Sequence, residues 1–283
     1  MHAARAALRA AGVDDEANKL EAQDLICAAA GKTPEQLYRD FSLYTTDAIA
    51  ETIEKYMDRR LAGEPIAYII GEWDFMGLRF FVNPAALIPR VDTEMLAQLA
   101  ISRLKEHPGH TRVLDLCAGT GCVGLSIAAT LKNTRAILVD LSDGALDLCK
   151  RNIRRHKLTG RAVYLKGDAL QPPSHTLGQF DALVCNPPYI PTGDLPALDR
   201  SVKDYEPMLA LDGGSDGLDF YRAICENWRG ALRTGGRLYF EVGIGQADDV
   251  LRIMRAVGFG DIEVIPDLNG IPRVVWGILH TEI

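Results

Sequence analysis

The sequence predicts a doubly wound α/β domain with a mostly parallel sheet, preceded by a small all-α bundle. Three observations carry this. From Thr111 onward, short apolar strand candidates alternate with helical stretches, the pattern of a parallel sheet covered on both faces. In the first sixty-odd residues apolar positions recur only at helical spacing. Near the C-terminus two apolar runs flank a turn, as in an antiparallel pair closing a sheet edge. A chain of 283 residues can hold two modest domains, and 47% hydrophobic with 24% charged residues is ordinary globular composition.

Residues 1–12 carry Arg5 and Arg9 among alanines, which resembles a targeting segment. Asp14, Asp15 and Glu16 follow at once without an apolar signal core, so a first helix of the mature chain is expected. Ala22, Leu25, Ile26 and Ala29 then form one apolar stripe, which Gly31 ends. Thr33-Pro34-Glu35-Gln36 starts the next helix: Thr33 caps, Pro34 suits the first position and Gln36 completes a capping box. A further stripe runs through Ile49, Ile53, Met57 and Leu61, with Thr46 as cap and Gly63 as stop. Between Gly71 and Val82, Phe75, Leu78, Phe80 and Val82 suggest a hairpin turning near Met76-Gly77 that connects the two domains.

The strand candidates are Arg112–Leu116, Ala136–Leu141, Ala162–Leu165, Ala182–Cys185 and Arg237–Val242. Helices fill the gaps, notably Ser142–His156 with Ser142 as its cap. Ile262–Ile265 and Val274–Leu279 flank a turn at Asp267–Gly270 and form the closing pair.

The net charge of −7 disfavours a non-specific grip on nucleic acid, although a local basic groove is still compatible with it. No stretch approaches the ~20 apolar residues of a membrane helix. The six cysteines are scattered without a Cys-x-x-Cys pair, which argues against a metal site and a disulfide framework and suits reduced thiols in a cytoplasm.

Asp115-Leu-Cys-Ala-Gly119-Thr120-Gly121 lies between a strand and a helix. Glycines there let backbone pass close to a ligand, and a helix N-terminus offers unpaired N–H groups. Asp140, at the end of the next strand, suits a ribose diol, and Asp168 in Gly167-Asp168-Ala169 suits an adenine amine. Two cofactors fit. Gly119, Gly121 and Gly124 with the later acid match a nicotinamide-dinucleotide fingerprint. Asp115, read as part of the loop, would repel a pyrophosphate and favours S-adenosylmethionine (SAM) instead.

Asn186-Pro187-Pro188-Tyr189 follows the apolar strand Ala182–Cys185. Two prolines cannot donate to a ladder, so the strand stops and the peptide is stiff. That stiffness fixes the Asn186 side-chain oxygen and the Pro187 carbonyl as paired acceptors for a planar –NH₂ group, with Tyr189 as a stacking face. An amide or exocyclic amine is a poor nucleophile because its lone pair is delocalised. Acceptors on both hydrogens favour the pyramidal, charge-developing transition state over the flat ground state. Hydride transfer has no use for this arrangement.

With these residues placed, the chain from about Ala22 onward resembles the HemK/PrmC family, bacterial protein-glutamine N-methyltransferases that act on peptide-chain release factors. The segments that carry the resemblance are Gly63-Glu-Pro-Ile-Ala-Tyr68, Leu87-Ile-Pro-Arg-Val-Asp-Thr-Glu94, Asp115–Gly121, Asp140, Asn186–Tyr189, and Glu206-Pro207 with Gly213-Gly214-Ser-Asp-Gly217. The resemblance implies a helical domain over residues 1–70 that recruits the release factor and a hairpin linker over 71–85. Residues 86–283 would form a Rossmann-like class I SAM-dependent methyltransferase domain. It implies that Cys117, Ala118, Gly119, Thr120, Gly121, Asp140, Asp168 and Ala169 hold SAM, with Asn186 bordering the methyl donor. It further implies that Asn186, Pro187, Pro188 and Tyr189 hold the glutamine of a Gly-Gly-Gln loop, with Asn186, Pro187 and Tyr189 catalytic and no metal. Pro89-Arg90 and Thr93-Glu94 would shape the lid; read from spacing alone, Arg90 and Glu94 are an i, i+4 pair.

Two positions depart from the family pattern. Cys117 stands where a glycine is usual, so the backbone must tolerate a Cβ, and a small buried role is expected for its thiol. Ala169 stands where some relatives carry a large ring. The expected enzyme is a cytoplasmic monomer acting on class I release factors, without stable nucleic-acid binding. Methylation of an exocyclic amine in DNA or RNA is the alternative, and a SAM-binding adaptor without activity is a third.

Overall fold

The computed structural model describes residues 15–40, 46–107 and 109–280. The chain forms two compact units that divide between Glu72 and Trp73, with Asp199–Tyr205 belonging to the first. The helix expected over residues 1–12 lies outside the described residues.

The first unit is built from α1 (Asp15–Ala30), α2 (Pro34–Arg39), α3 (Asp47–Leu61) and α4 (Ile66–Ile70). Ala22 and Leu25 of α1 are fully buried against Met57 of α3 and Ile69 of α4, which brings the two predicted stripes together. The capping box forms as expected: Gln36 N–H donates to Thr33 Oγ1 at 3.3 Å, and Thr33 N–H donates to Gln36 Oε1 at 2.9 Å. Leu61, expected on the buried stripe, is exposed because the helix ends there and the chain turns away at Ala62. The one-turn helix Arg200–Lys203 joins this unit late in the chain, and Tyr205 Oη donates to the Ala62 carbonyl at 3.0 Å.

The hairpin strands are β1 (Glu72–Phe75) and β2 (Leu78–Phe81). Met76 (φ 53°) and Gly77 (φ 70°) are both left-handed, as a two-residue turn of the favoured hand requires. Glu94 Oε1 accepts from Met76 N–H at 2.6 Å and holds that turn. Phe75 and Phe80 are buried in the core of the second unit, so the segment read as a connector packs with that unit.

The large sheet contains β3 (Thr111–Leu116), β4 (Thr134–Asp140), β5 (Ala162–Lys166), β6 (Phe180–Cys185), β7 (Leu232–Glu241), β8 (Phe259–Pro266) and β9 (Pro272–Leu279). Their order is β5-β4-β3-β6-β7-β9-β8, parallel from β5 to β7, with β9 antiparallel to both of its neighbours. The antiparallel tail is the predicted one. β7 starts five residues before the expected Arg237, because Thr234-Gly235-Gly236 interrupts the apolar alternation. The pairing with β6 shifts register there, and Gly235 takes a positive φ.

Helices cover both faces, as alternation along the strands requires. Val113, Ala182 and Val184 pack towards α5 (Val91–Lys105), α6 (Cys122–Thr130) and α7 (Asp143–Arg155). Leu114, Leu116, Leu183 and Cys185 pack towards α8 (Asp219–Asn227) and α9 (Ala247–Ala256). The chain lays down β3, β4 and β5 outward, then returns to place β6 on the other side of β3. That reversal opens a crevice at the carboxyl ends of β3 and β6, where Leu116 and Cys185 are level.

Candidate active site

The crevice opens into a cleft of about 1130 Å³, mouth included, at the carboxyl ends of the parallel strands. Cys117, Ala118, Gly119, Thr120, Asp140, Asp168, Ala169, Asn186 and Pro188 line it. Three other sequence-predicted residues do not. Gly121 caps α6 at φ 78°, and a Cβ there would sit 2.9 Å from Leu138, so its task is close packing. Pro187 and Tyr189 lie outside the lining, and the Tyr189 phenol is pushed up to about 12, chiefly by burial.

Asp115 is the fifth residue of β3 rather than part of the loop. It is buried, and its Oδ2 accepts from Gly124 N–H at 2.8 Å, tying the first turn of α6 to the strand. Burial lifts its carboxyl to about 7, the Gly124 bond draws it down and the Asp140 charge raises it again. Asp140 ends β4 and ties the loop after β3 to the cap of the helix after β4. Its Oδ2 accepts from Gly119 N–H at 2.8 Å and its Oδ1 from Ser142 N–H at 2.9 Å. Burial raises its pKa against those bonds and one from the Leu141 backbone, and the carboxylate retains acceptor capacity for a ligand.

β5 ends at Lys166, two residues before Asp168. Asp168 forms a turn, its Oδ1 accepting from Leu170 N–H at 2.9 Å, while Trp228 Nε1 holds the Ala169 carbonyl at 3.0 Å. Cys117 occupies the glycine position at φ 55°. It is half-buried rather than buried, which corrects the expectation: its thiol packs against the core beside the Cys185 thiol while the residue also borders the cleft. The other five cysteines are buried, and none of the six forms a disulfide.

At the end of β6, Asn186 Nδ2 donates to Thr93 Oγ1 at 3.1 Å. An amide occupied at its nitrogen keeps its oxygen for another partner. The segment after Asn186 is held by backbone: Ile190 N–H donates to the Leu211 carbonyl at 3.0 Å, and Gly213 N–H to the Ile190 carbonyl at 2.8 Å. A Cβ on Gly213 would lie 2.7 Å from Tyr189 Cα, so only glycine lets this loop brace the prolines.

The i, i+4 reading of Arg90 and Glu94 does not hold. Arg90, the N-cap residue of α5, pairs with buried Glu206, while Glu94 holds the hairpin turn. Glu206 also accepts from Ile88 N–H at 3.2 Å, fastening one wall of the cleft beside Pro89 and Pro207. Sequence reasoning missed Glu206 and Glu241 as site components. Glu241 is a buried acid ending β7, and an acid closing an apolar strand is the signal that had singled out Asp140. Among the described residues no three His, Cys, Asp or Glu side chains converge as a metal site. No described helix is long and apolar enough to cross a membrane.

Residues 1–71 match the PrmC N-terminal domain and residues 90–210 the methyltransferase small domain. The release factor glutamine methyltransferase of Geobacter sulfurreducens is 42% identical over 261 residues, covering 92% of this chain and 89% of that protein. The chain belongs to the release factor glutamine methyltransferase family. The family's enzyme from Moorella thermoacetica is 40% identical, with 94% of this chain and 92% of that one covered. A methyltransferase structure from Pyrococcus furiosus, 16% identical, matches 81% of this chain and all of that chain with a TM-score of 0.52, a likeness of fold. Methyltransferase membership implies SAM as the methyl donor.

Proposed function

We propose that this protein transfers a methyl group from SAM to the side-chain amide nitrogen of the glutamine in the Gly-Gly-Gln motif of class I release factors. The observation that carries the reading is the Asn186 amide at the crevice. Its nitrogen is engaged by Thr93, so its oxygen is the acceptor left for a substrate N–H.

The cleft suits the donor. Around Gly119 a Cβ would meet only Ala86, at 3.7 Å, so the loop leaves open space against its backbone. Thr120 Oγ1 is buried with no partner among the described residues beyond the weak thiol of Cys122. Cys117 to Gly121, Asp140, Asp168, Ala169 and Asn186 would hold SAM, with Gly121 acting through loop shape. When bound, SAM would supply an electrophilic methyl on sulfur, and the substrate amide nitrogen that takes it would release one proton to water.

The protein's own groups hold the nitrogen. Asn186 Oδ1 and the Pro187 carbonyl each accept one N–H, and these bonds strengthen as positive charge develops on nitrogen. Pro188 and the glycine-braced backbone keep both acceptors in place, so little reorganisation accompanies transfer. Tyr189 contributes its ring beyond the cleft wall. We assign residues 1–70 to release-factor recruitment, 71–85 to the hairpin that joins it, and 86–283 to transfer. The protein works as a cytoplasmic monomer without stable nucleic-acid binding.

The test is incubation with methyl-labelled SAM, unmodified release factor and nucleic acid together, followed by mass spectrometry. One methyl on the glutamine of Gly-Gly-Gln is the expected product. Label on nucleic acid and none on protein would transfer the reading to exocyclic amines.

A further inference from the structure

We infer that Thr93 and Glu241 are positioning residues for the transfer, aligning and polarising the Asn186 amide through a hydrogen-bonded chain that ends in a buried carboxylate. This rests on the methyl-transfer reading above. Phe240 pairs with Cys185, so Glu241 lies beside Asn186 on the neighbouring strand, outside the cleft lining. Thr93 comes from the first turn of α5, is buried, and borders the cleft.

The inventory of protons gives the chain its direction. Thr93 Oγ1 accepts from Asn186 Nδ2 at 3.1 Å, so its single O–H is free to donate onward. Hydrogen bonding from Thr93 and Asn186 lowers the Glu241 pKa, although burial prevails and holds it at about 7. Glu241 Oε2 is itself buried without a hydrogen-bond partner among the described residues. Such a carboxyl is costly to maintain unless its charge is used. A negative charge behind the Asn186 –NH₂ draws the amide towards its charge-separated form and makes Oδ1 a stronger acceptor. Oδ1 then favours the nitrogen most when that nitrogen becomes positive.

The groups around Glu241 set its titration. Asp92, next to Thr93, raises its pKa, and Arg273, held by Asp92 at 3.1 Å and Asp267 at 3.2 Å, lowers it. The phenols of Tyr189 and Tyr221 and the Cys122 thiol also lie in its field, and each is raised by burial before Glu241 adds to the rise. A carboxyl with a raised pKa is ionised above that value and protonated below it. Polarisation is therefore present above about pH 7 and fades as pH falls through it.

The experiment compares full-length wild type with T93S, T93V and E241Q, measuring methyl transfer to release factor against pH and SAM affinity by calorimetry. T93V and E241Q are expected to lower kcat by about 10- to 100-fold, the worth of a hydrogen bond to a charged group, with SAM affinity and KM little changed. T93S, which restores the hydroxyl, should recover most of the rate. The acidic limb near pH 7 in wild type should vanish in E241Q. Wild-type rates and pH profile in both T93V and E241Q would overturn the inference, as would equal losses in T93S and T93V, which would indicate packing alone. A wild type that methylates no release factor would instead defeat the functional reading and this inference with it.

Discussion

The carboxyl ends of β3 and β6 lie level with each other yet are built by opposite means. After β3 the chain turns through Cys117, Gly119 and Gly121 at positive φ, and backbone N–H groups do the work: Gly119 to Asp140 and Gly124 to Asp115. After β6 the chain is stiffened by two prolines, and one side chain, Asn186, is aimed by another, Thr93. The first end shapes space around a ligand through conformation. The second directs single atoms. A loop that works through backbone tolerates side-chain change, as Cys117 illustrates, whereas an aimed acceptor does not.

Breaking the first end requires a steric change. A Cβ on Gly124 would lie 2.6 Å from Leu138 and 2.9 Å from Asp115 Oδ2. Gly124→Val should therefore push α6 off β3 and cost about 3 kcal/mol or more in chemical denaturation. An unchanged denaturation midpoint would mean that the close approach of helix and strand is dispensable. A smaller change sharpens the contrast. A non-glycine residue in the left-handed region costs about 1–2 kcal/mol, while glycine loses about 0.5–1 kcal/mol of chain entropy. Cys117→Gly is thus expected to raise stability by at most about 1.5 kcal/mol and to leave transfer intact. A loss of transfer on this substitution would give the thiol a role that the loop reading denies it.

The same contrast explains what could be read in advance. Glycines after an apolar strand and an acid at the next strand end are local signals, so Gly119 and Asp140 were legible without a structure. Asn186-Pro187-Pro188-Tyr189 was legible because no ordinary strand ends that way. Thr93 had been assigned to a lid, and its bond to Asn186 spans 93 residues, a pairing that only the fold creates. Glu241 read as the end of a strand whose first half was itself hidden by Gly235 and Gly236. Asp115 fell inside the predicted strand Arg112–Leu116 and was also read as part of the loop; its buried bond to the Gly124 amide, a contact nine residues away, decides for the strand. The capping box at Thr33 and the turn at Met76-Gly77 needed no such long-range partner and formed as read.

The division of labour between the two strand ends is tested most directly by Asn186→Ala, with SAM affinity and methyl transfer to release factor measured on the same preparation. Asn186 borders the cleft but is one of many residues around it, so SAM affinity should fall by no more than about 10-fold, the worth of one hydrogen bond. Transfer should fall by about 100-fold or more, because the acceptor that strengthens in the transition state is gone. Undiminished turnover in that variant would contradict the account.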